Sequence, residues 1–494
     1  MLLLKREPRL DVRHQAFLYQ VQAVEAVHGL EYAALFHEQG LGKTKIGIDL
    51  ALSWLKEKVV DSVIVVTKRA LVKNWTDEIR AHTFLDARLF GQDKNANFFA
   101  FNSPARLYLA HYEVLRSEQR RFSLFQKTRK IGVILDESHK IKNPDAELTK
   151  AFHKLAAGFV RRAIMTGTPV ANRPYDIWAQ IKFLDGGKSL GPSFSEFREN
   201  LDLSNELAEN PKAQAAFEDR LGSIFEKIKP FTVRETKGSA GIELPEKHIE
   251  NIAVQLEEKQ LMLYERYRTE LSAEVLRGGE LVTDDAEEIL KRLLRLVQVA
   301  SNPLLVDESY NGVPGKLSTA RKLVDRAIAD GSKAIVWTNF IANADWLAKQ
   351  FKDAGSVVVH GNKKISDRNT ALDAFKGDPD IKVLVATPAS AKEGLTLTVA
   401  SHAVFFDRSF SLDDYLQAQD RIHRISQKRE CHIWNLVAKD TVDDWVDMLL
   451  AAKHLAAQLA QGDIDSDAYQ QRANYDFGHV VREILKAGGE HGTA

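Results

Sequence analysis

The 494-residue sequence holds a single cysteine, Cys431. One thiol leaves no internal disulfide and no cysteine-based metal cage, which suits a reducing compartment. Nothing in the chain approaches the roughly 18 consecutive apolar residues of a membrane span. The opening MLLLKREPRL is apolar for four residues and then highly charged, which is not a signal-peptide pattern. Excess charge is missing too, since 68 basic residues balance 68 acidic ones. Proteins that coat nucleic acid with their whole surface are more basic, so any such track here is a local stripe. There are no repeats, low-complexity tracts or long charged arms. A composition of 44% hydrophobic and 28% charged residues then describes an ordinary globular chain of two to four domains.

What is present is an alternation of short apolar runs with helix-like stretches, the pattern of parallel α/β sheets. Strand candidates in the first half are 62–67, 107–110, 131–136 and 161–166. In the second half they are 333–338, 356–360, 381–386, 402–406 and 431–437. Near-continuous apolar character suits strands buried on both faces. Between the two series the chain is charged and helical in period. The stretch 286–301 puts Ile289, Leu293, Leu296 and Val297 on one helical face. The expected organisation is a lobe over 1–235 with a helical extension at about 175–230, a linker and helical protrusion over 236–310, a second lobe over 311–460, and a tail over 461–494. A helix over 441–460 is expected to be capped by Thr441, with Asp444 three residues on.

Three local patterns carry chemistry. In HEQGLGKTKIGIDLAL (37–52), Gly40 and Gly42 let the backbone curl so that its N–H groups converge on an anion, and the following helix offers its positive end. Lys43 would reach the β- and γ-phosphates and the Thr44 hydroxyl would hold Mg2+. By itself the pattern is also that of a glycine turn before a helix. In IGVILDESHKIKNP (131–144) an apolar strand delivers Asp136 and Glu137 at its C-terminal end. Asp136 would bind Mg2+ and Glu137 would orient or deprotonate the attacking water; an acidic N-cap pair is the plainer alternative. In YLQAQDRIHRISQ (415–427), Gln417, Arg421 and Arg424 fall at i, i+4 and i+7, on one face of a helix. Two guanidiniums so aimed suit phosphoryl transfer, although a solvated basic helix has the same look. Phosphate loop, acidic pair and arginine pair together imply a nucleotide, ATP with Mg2+, held between two lobes.

In order along the chain, these motifs resemble helicase superfamily two and, within it, the Swi/Snf-type DNA translocases. FLYQVQAV (17–24) resembles the adenine-recognising segment, with Gln20 as the contact. The phrase ending in Asn74, Trp75 and Glu78 follows, then LAHYEVLR (109–116) and the DESH sequence. MTGTPVANRP (165–174) is similar to the coupling motif, with Thr166, Gly167 and Thr168. FTVRETK (231–237) resembles the exit from lobe one, and LLRLVQVASNP (293–303) with GKL (315–317) the approach to lobe two. VLVATPASAKEGLTLTVASHAVFFD (383–407), which contains Gly394, and QAQDRIHRISQ match the last two motifs. Departures are His37, Glu38 and Gln39 in place of Asp-Glu-Met, Phe410, Ser411 and Leu412 in place of Trp-Asn-Pro, and Ser426 in place of glycine.

The resemblance implies two RecA-like lobes, ATP hydrolysis and translocation along double-stranded DNA held by its phosphates. It implies nucleic-acid contacts from Thr67, Lys68, Arg69, His111 and Tyr112 in lobe one. In lobe two it implies Asn339, Gly361, Asn362, Lys363, Lys364, Thr387 and Lys392. Backbone contact predicts little sequence preference. Targeting or nuclease activity would come from a protein partner, and no membrane partner is expected. The location implied is cytoplasmic for a bacterial or phage-encoded chain and nuclear for a eukaryotic one. A strand-separating DNA or RNA helicase, or the motor subunit of a restriction, phage-defence or repair complex, stays open at this point.

Overall fold

The computed structural model describes residues 7–476 with Leu4 and His479, except for 171, 200, 202, 204–206, 208–209, 278–279, 282–285 and 392–395. Of 272–292 and 391 it describes backbone at most. The chain divides into two compact units. The first comprises Met1–Leu201, Asp219–Ile242 and Ala457–Asp465; the second comprises Asp202–Glu218, Glu243–Ala456 and Ser466–Ala494.

In the first unit, β1 (Tyr32–Leu35), β2 (Ser62–Thr67), β3 (Arg88–Phe90), β4 (Leu107–His111), β5 (Ile131–Asp136), β6 (Arg161–Met165) and β7 (Thr232–Val233) form one sheet. Its order is β3-β4-β2-β5-β6-β1-β7 and each adjoining pair is parallel. Every residue of β2 and β5 is buried, as expected of central strands with helices on both faces. The helix Lys43–Lys56 packs Ile46, Leu50 and Trp54 into the core formed with Val63, Val65 and Ile134.

The second unit builds β8 (Lys247–Val254), β11 (Lys333–Trp337), β12 (Ser356–Val359), β13 (Val383–Ala386), β14 (Ala400–Phe405) and β15 (Cys431–Ala438) into a parallel sheet of order β12-β13-β11-β14-β15-β8. A short antiparallel pair, β9 (Leu276–Arg277) and β10 (Glu280–Leu281), stands apart from it. The expected α/β class, two parallel-sheet lobes, is therefore the observed one.

All nine strands expected from apolar runs form. Those passed over have weak apolar signals. β1 is only Tyr-Ala-Ala-Leu, and β8, inside the stretch read as linker and protrusion, is a mostly exposed edge strand of mixed polarity. The helix Ala286–Ser301 buries Leu293, Leu296 and Val297 as the periodicity predicts; the side chain of Ile289 lies outside the described residues. At the helix Val442–Ala460, Thr441 accepts the Asp443 N–H at 3.2 Å. Asp444 departs from the expected capping box by reaching one residue further, to the Asp440 N–H at 2.7 Å.

Lys316 is wholly buried, and its Nζ lies 2.5 Å from Asp443 Oδ2. The same carboxylate accepts the Ala438 N–H at 2.9 Å, so this pair ties the end of β15 to the helix Lys316–Ala329. Lys316→Met strands a buried carboxylate and is expected to destabilise the second unit by about 3–5 kcal/mol, read as a lowered urea midpoint. An unchanged midpoint contradicts this account of the pair.

Candidate functional site

The loop between β1 and the helix Lys43–Lys56 is left-handed at Gly40 (φ 88°) and Gly42 (φ 69°). A Cβ on Gly42 would sit 2.5 Å from Gln20 Nε2, so both backbone conformation and space demand glycine there. Gln20 holds the loop from behind. Its Nε2 donates to the Leu41 carbonyl at 3.2 Å, and its Oε1 accepts the Phe17 N–H at 3.0 Å. Tyr19 Oη donates to the same Leu41 carbonyl at 3.1 Å. Lys43 curls back so that Nζ donates to the carbonyls of His37 (2.9 Å) and Glu38 (3.1 Å). Thr44 follows at the helix start, half-buried.

The acidic pair lies at the end of β5. Asp136 Oδ2 accepts two buried hydrogen bonds, from Trp75 Nε1 at 2.7 Å and Thr67 Oγ1 at 3.0 Å. Tyr112 Oη donates to the Asp136 carbonyl at 2.8 Å. Burial and the neighbouring Glu137 charge push the Asp136 carboxyl above its ordinary range, against those donors. Glu137 adopts a left-handed backbone (φ 55°), a conformation that costs a non-glycine residue energy and turns its side chain off the strand line. Burial pushes its carboxyl up, but the charges of Lys68 and Lys43 and the His139 ring outweigh that and hold it below the usual range. The His139 ring nitrogen lies 3.2 Å from Glu137 Oε2 and 3.5 Å from Thr166 Oγ1, which in turn accepts the Thr168 N–H at 3.2 Å. A polar chain thus runs from Glu137 to the Thr166–Gly167–Thr168 segment.

This geometry revises part of the first-lobe nucleic-acid set. Thr67 and Tyr112 are wholly buried, and their hydroxyls are spent on Asp136, so their side chains do not face a ligand outside the lobe. Lys68 bears on Glu137, and His111 is buried against Glu113 at 2.8 Å; Arg69 is exposed.

In the second unit the arginine motif also departs from expectation. The helix Leu412–Gln419 ends before Arg421, so Gln417, Arg421 and Arg424 do not share one helical face. Past Gln419 the turns tighten: the Arg421 N–H donates to the Ala418 carbonyl at 3.3 Å and the Ile422 N–H to the Gln419 carbonyl at 3.2 Å, each three residues back, and the Arg421 carbonyl accepts the Leu397 N–H at 2.9 Å. Arg421 is buried, whereas Arg424 is half-exposed and donates to the Asp420 carbonyl (2.8 Å) and Thr396 Oγ1 (3.1 Å). Gln417 Nε2 donates to Asp413 Oδ1 at 2.7 Å. Of the expected contacts here, Gly361, Asn362 and Lys364 are exposed after β12, and Lys363 is half-buried 3.8 Å from Asp345. Asn339 is held by Asp407, and Thr387 is buried against Ser390 at 3.0 Å, which removes its side chain from that set. Lys392 and Gly394 lie outside the described residues.

The SNF2-related domain matches residues 17–305, more than half of the chain, and the helicase conserved C-terminal domain matches 315–426. The chain belongs to the SNF2-related family. That family is one of helicase-type ATP hydrolases acting on nucleic acid. The chain is 28% identical over 439 residues to the uncharacterized ATP-dependent helicase MG018 of Mycoplasma genitalium, covering 87% of this chain and 40% of that protein. It is 25% identical to the ISWI chromatin-remodeling complex ATPase ISW1 of Saccharomyces cerevisiae, covering 89% of this chain and 40% of that protein. It thus spans about two fifths of the length of these curated relatives. Among solved structures, the Sulfolobus solfataricus SWI2/SNF2 ATPase core in complex with dsDNA is 23% identical, with 96% of this chain and 99% of that one covered and a TM-score of 0.42. No helix among the described residues is long and apolar enough to cross a membrane.

Several partners in this SNF2-related chain escaped sequence reasoning. Trp75 stood in a matched phrase without a role, and His139 was a letter of DESH. Asp407 is a buried carboxylate that accepts from Ser301 Oγ (2.7 Å), Thr338 Oγ1 (2.5 Å) and the Asn339 N–H (2.7 Å), drawing together three separate stretches of the second unit. Its signal was an aspartate closing an otherwise apolar strand.

His37, one of the departures, is fully buried; burial and the charges of Lys43 and Arg234 lower its pKa from 6.5 to about 4. It therefore stays neutral in the folded chain while the unfolded chain protonates, so its contribution is intact above pH 6.5 and lost as pH falls towards about 4. His402 behaves alike in the second unit. His37→Asn is expected to shallow the decline of the first unit's urea midpoint across that window by about one proton's worth. An unaltered slope contradicts the assignment.

Proposed function

We propose that the chain hydrolyses ATP with Mg2+ and couples hydrolysis to translocation along double-stranded DNA. The observation that carries this reading is the buried pair at the end of β5, one carboxylate anchored by Trp75 and Thr67 and the other held ionised by cations. An ionised Glu137 can accept a hydrogen bond from an attacking water and so orient or deprotonate it. Lys43 is suited to the β- and γ-phosphates, at a helix N-terminus that favours anions. Thr44 and Asp136 offer the hard oxygen donors that Mg2+ takes, and both donors to Asp136 fall on Oδ2. When bound, Mg2+ would neutralise charge on the phosphates.

Gln20 acts in this reading by fixing the phosphate loop beside the base. Gly394, Gln417, Arg421 and Arg424 form the second lobe's contribution, the arginines stabilising charge on the transferring phosphoryl group, an effect of about 10³ or more in rate. Thr166, Gly167 and Thr168 would pass the state of Glu137 onward through His139. Lobe boundaries at about 235, 310 and 460 belong to the same proposal. The duplex track rests on family membership and on the chromatin-remodeling ATPase among the relatives. Arg69, Asn362, Lys363 and Lys364 supply phosphate contacts in this reading, and Lys68, His111, Asn339, Gly361 and Lys392 complete the candidate set. A protein partner would supply targeting, and the location would be cytoplasmic in a bacterium.

Glu137→Gln is expected to keep ATP binding within about threefold while lowering turnover by at least about 10³, measured by phosphate release and fluorescent-nucleotide titration. Robust turnover by that variant removes Glu137 as the base. Displacement of a triplex strand without unwinding of a forked duplex is the expected translocation result; unwinding of the fork makes the chain a strand-separating helicase instead.

A further inference from the structure

The last turn of the helix Val442–Ala460 and the residues after it, 457–465 together, belong to the first unit. There Asp463 forms a two-pronged ion pair with Arg234, Oδ1 to Nε and Oδ2 to Nη2, each at 2.5 Å and both partners largely buried. The third prong of Arg234, Nη1, donates to the Phe36 carbonyl at 2.5 Å. Phe36 is the first residue after β1, and the next carbonyls, of His37 and Glu38, receive Lys43 Nζ. The segment after β7 is zipped to this same stretch. Val233 O accepts the Phe36 N–H at 2.9 Å, Glu235 O accepts the Glu38 N–H at 2.8 Å, and Glu38 Oε2 accepts the Lys237 N–H at 2.7 Å.

Gly462 shows that the segment is shaped for this place. Its φ is 76°, and a Cβ would lie 2.5 Å from the Phe225 ring. Beside these contacts lies a pocket of about 610 Å³, open to solvent, lined by Tyr19, His37, Phe225, Arg234 and Asp463 among others. The backbone leading into the phosphate loop is therefore backed by one guanidinium, and that guanidinium is fixed by one carboxylate from a segment more than 200 residues away in sequence.

We infer that Asp463 is a positioning residue for the nucleotide loop: by clamping Arg234 it fixes the Phe36–Glu38 carbonyls and hence Lys43. The inference rests on reading residues 37–44 as the nucleotide loop. Asp463 itself touches no reacting group; it acts through Arg234. A planar fork held at both ends by charge-assisted bonds sets orientation as well as distance, which a single charge does not. Loosening it leaves the Trp75 and Thr67 donors to Asp136 and the Lys68 and His139 partners of Glu137 in place, so the effect falls mainly on nucleotide binding.

The test compares full-length wild type with Asp463→Asn, Asp463→Glu and Gly462→Val. Asp463→Asn is expected to raise KM for ATP about tenfold with kcat within about twofold, and to speed amide hydrogen exchange across 36–44 while leaving β2 and β5 unchanged. Asp463→Glu is expected to restore most of the affinity. Gly462→Val, which displaces the segment but keeps the carboxylate, is expected to reproduce the exchange change. Wild-type KM and wild-type exchange in Asp463→Asn overturn the inference, as does exchange raised throughout the first unit, which marks a merely structural anchor. Hydrogen exchange needs no nucleotide. A wild type that neither binds nor hydrolyses ATP, with exchange still responding to Asp463→Asn at 36–44, removes the nucleotide reading and leaves the clamp.

Discussion

Two adjacent carboxylates buried at the end of one strand are the constraint around which the first unit is arranged. Moving charge out of water costs several kcal/mol per ion unless donors and counter-charges replace the solvent. The replacements at Asp136 and Glu137 come from widely separated places: Thr67 and Lys68 at the end of β2, Trp75 on the helix Val72–His82, and His139 two residues past Glu137, while Tyr112 after β4 holds the Asp136 backbone carbonyl. Parallel strand order makes this economical, because β2, β4 and β5 are neighbours and deliver their C-terminal ends to one rim. Several residues that look like outward ligand contacts are therefore internal supports. The hydroxyl of Thr67 cannot serve both a buried carboxylate and an external phosphate.

Further along the same rim, at β1 and β7, sits the glycine loop. Here the fold uses backbone where the β2–β5 end uses side chains. Gln20 and Tyr19 grip the Leu41 carbonyl, Arg234 grips that of Phe36, and Lys43 closes on those of His37 and Glu38. Neutral His37 fits this setting, since a protonated ring would add a third cation to Lys43 and Arg234. In the second unit, Asp407 plays a comparable part by tying the ends of β11 and β14 to the helix Ala286–Ser301 through Thr338 and Ser301.

What the sequence made legible follows from how local each signal is. Buried strands such as Ser62–Thr67 and Ile131–Asp136 announce themselves as uninterrupted apolar runs, and the loop glycines by their spacing ahead of Lys43. Edge strand β8 did not, because one half of an edge meets water and its residues are mixed in character. The helical spacing of Gln417, Arg421 and Arg424 misled because spacing says nothing of where carbonyls find their partners. Past Gln419 the N–H groups of Arg421 and Ile422 turn to carbonyls three residues back, and the α-helix ends. Least legible was the clamp of Asp463 on Arg234, a long-range pair of common residue types with no spacing rule to reveal it.

The central claim is that the chain converts ATP hydrolysis into work on duplex DNA, and the rate of phosphate release from ATP with Mg2+ tests it most directly. It should be measured for the full chain alone and with saturating duplex DNA, single-stranded DNA or RNA. The account predicts a slow basal rate raised at least about tenfold by duplex DNA, with a stimulation that weakens as salt rises. Hydrolysis that ignores duplex DNA, or that RNA stimulates more strongly, would contradict it.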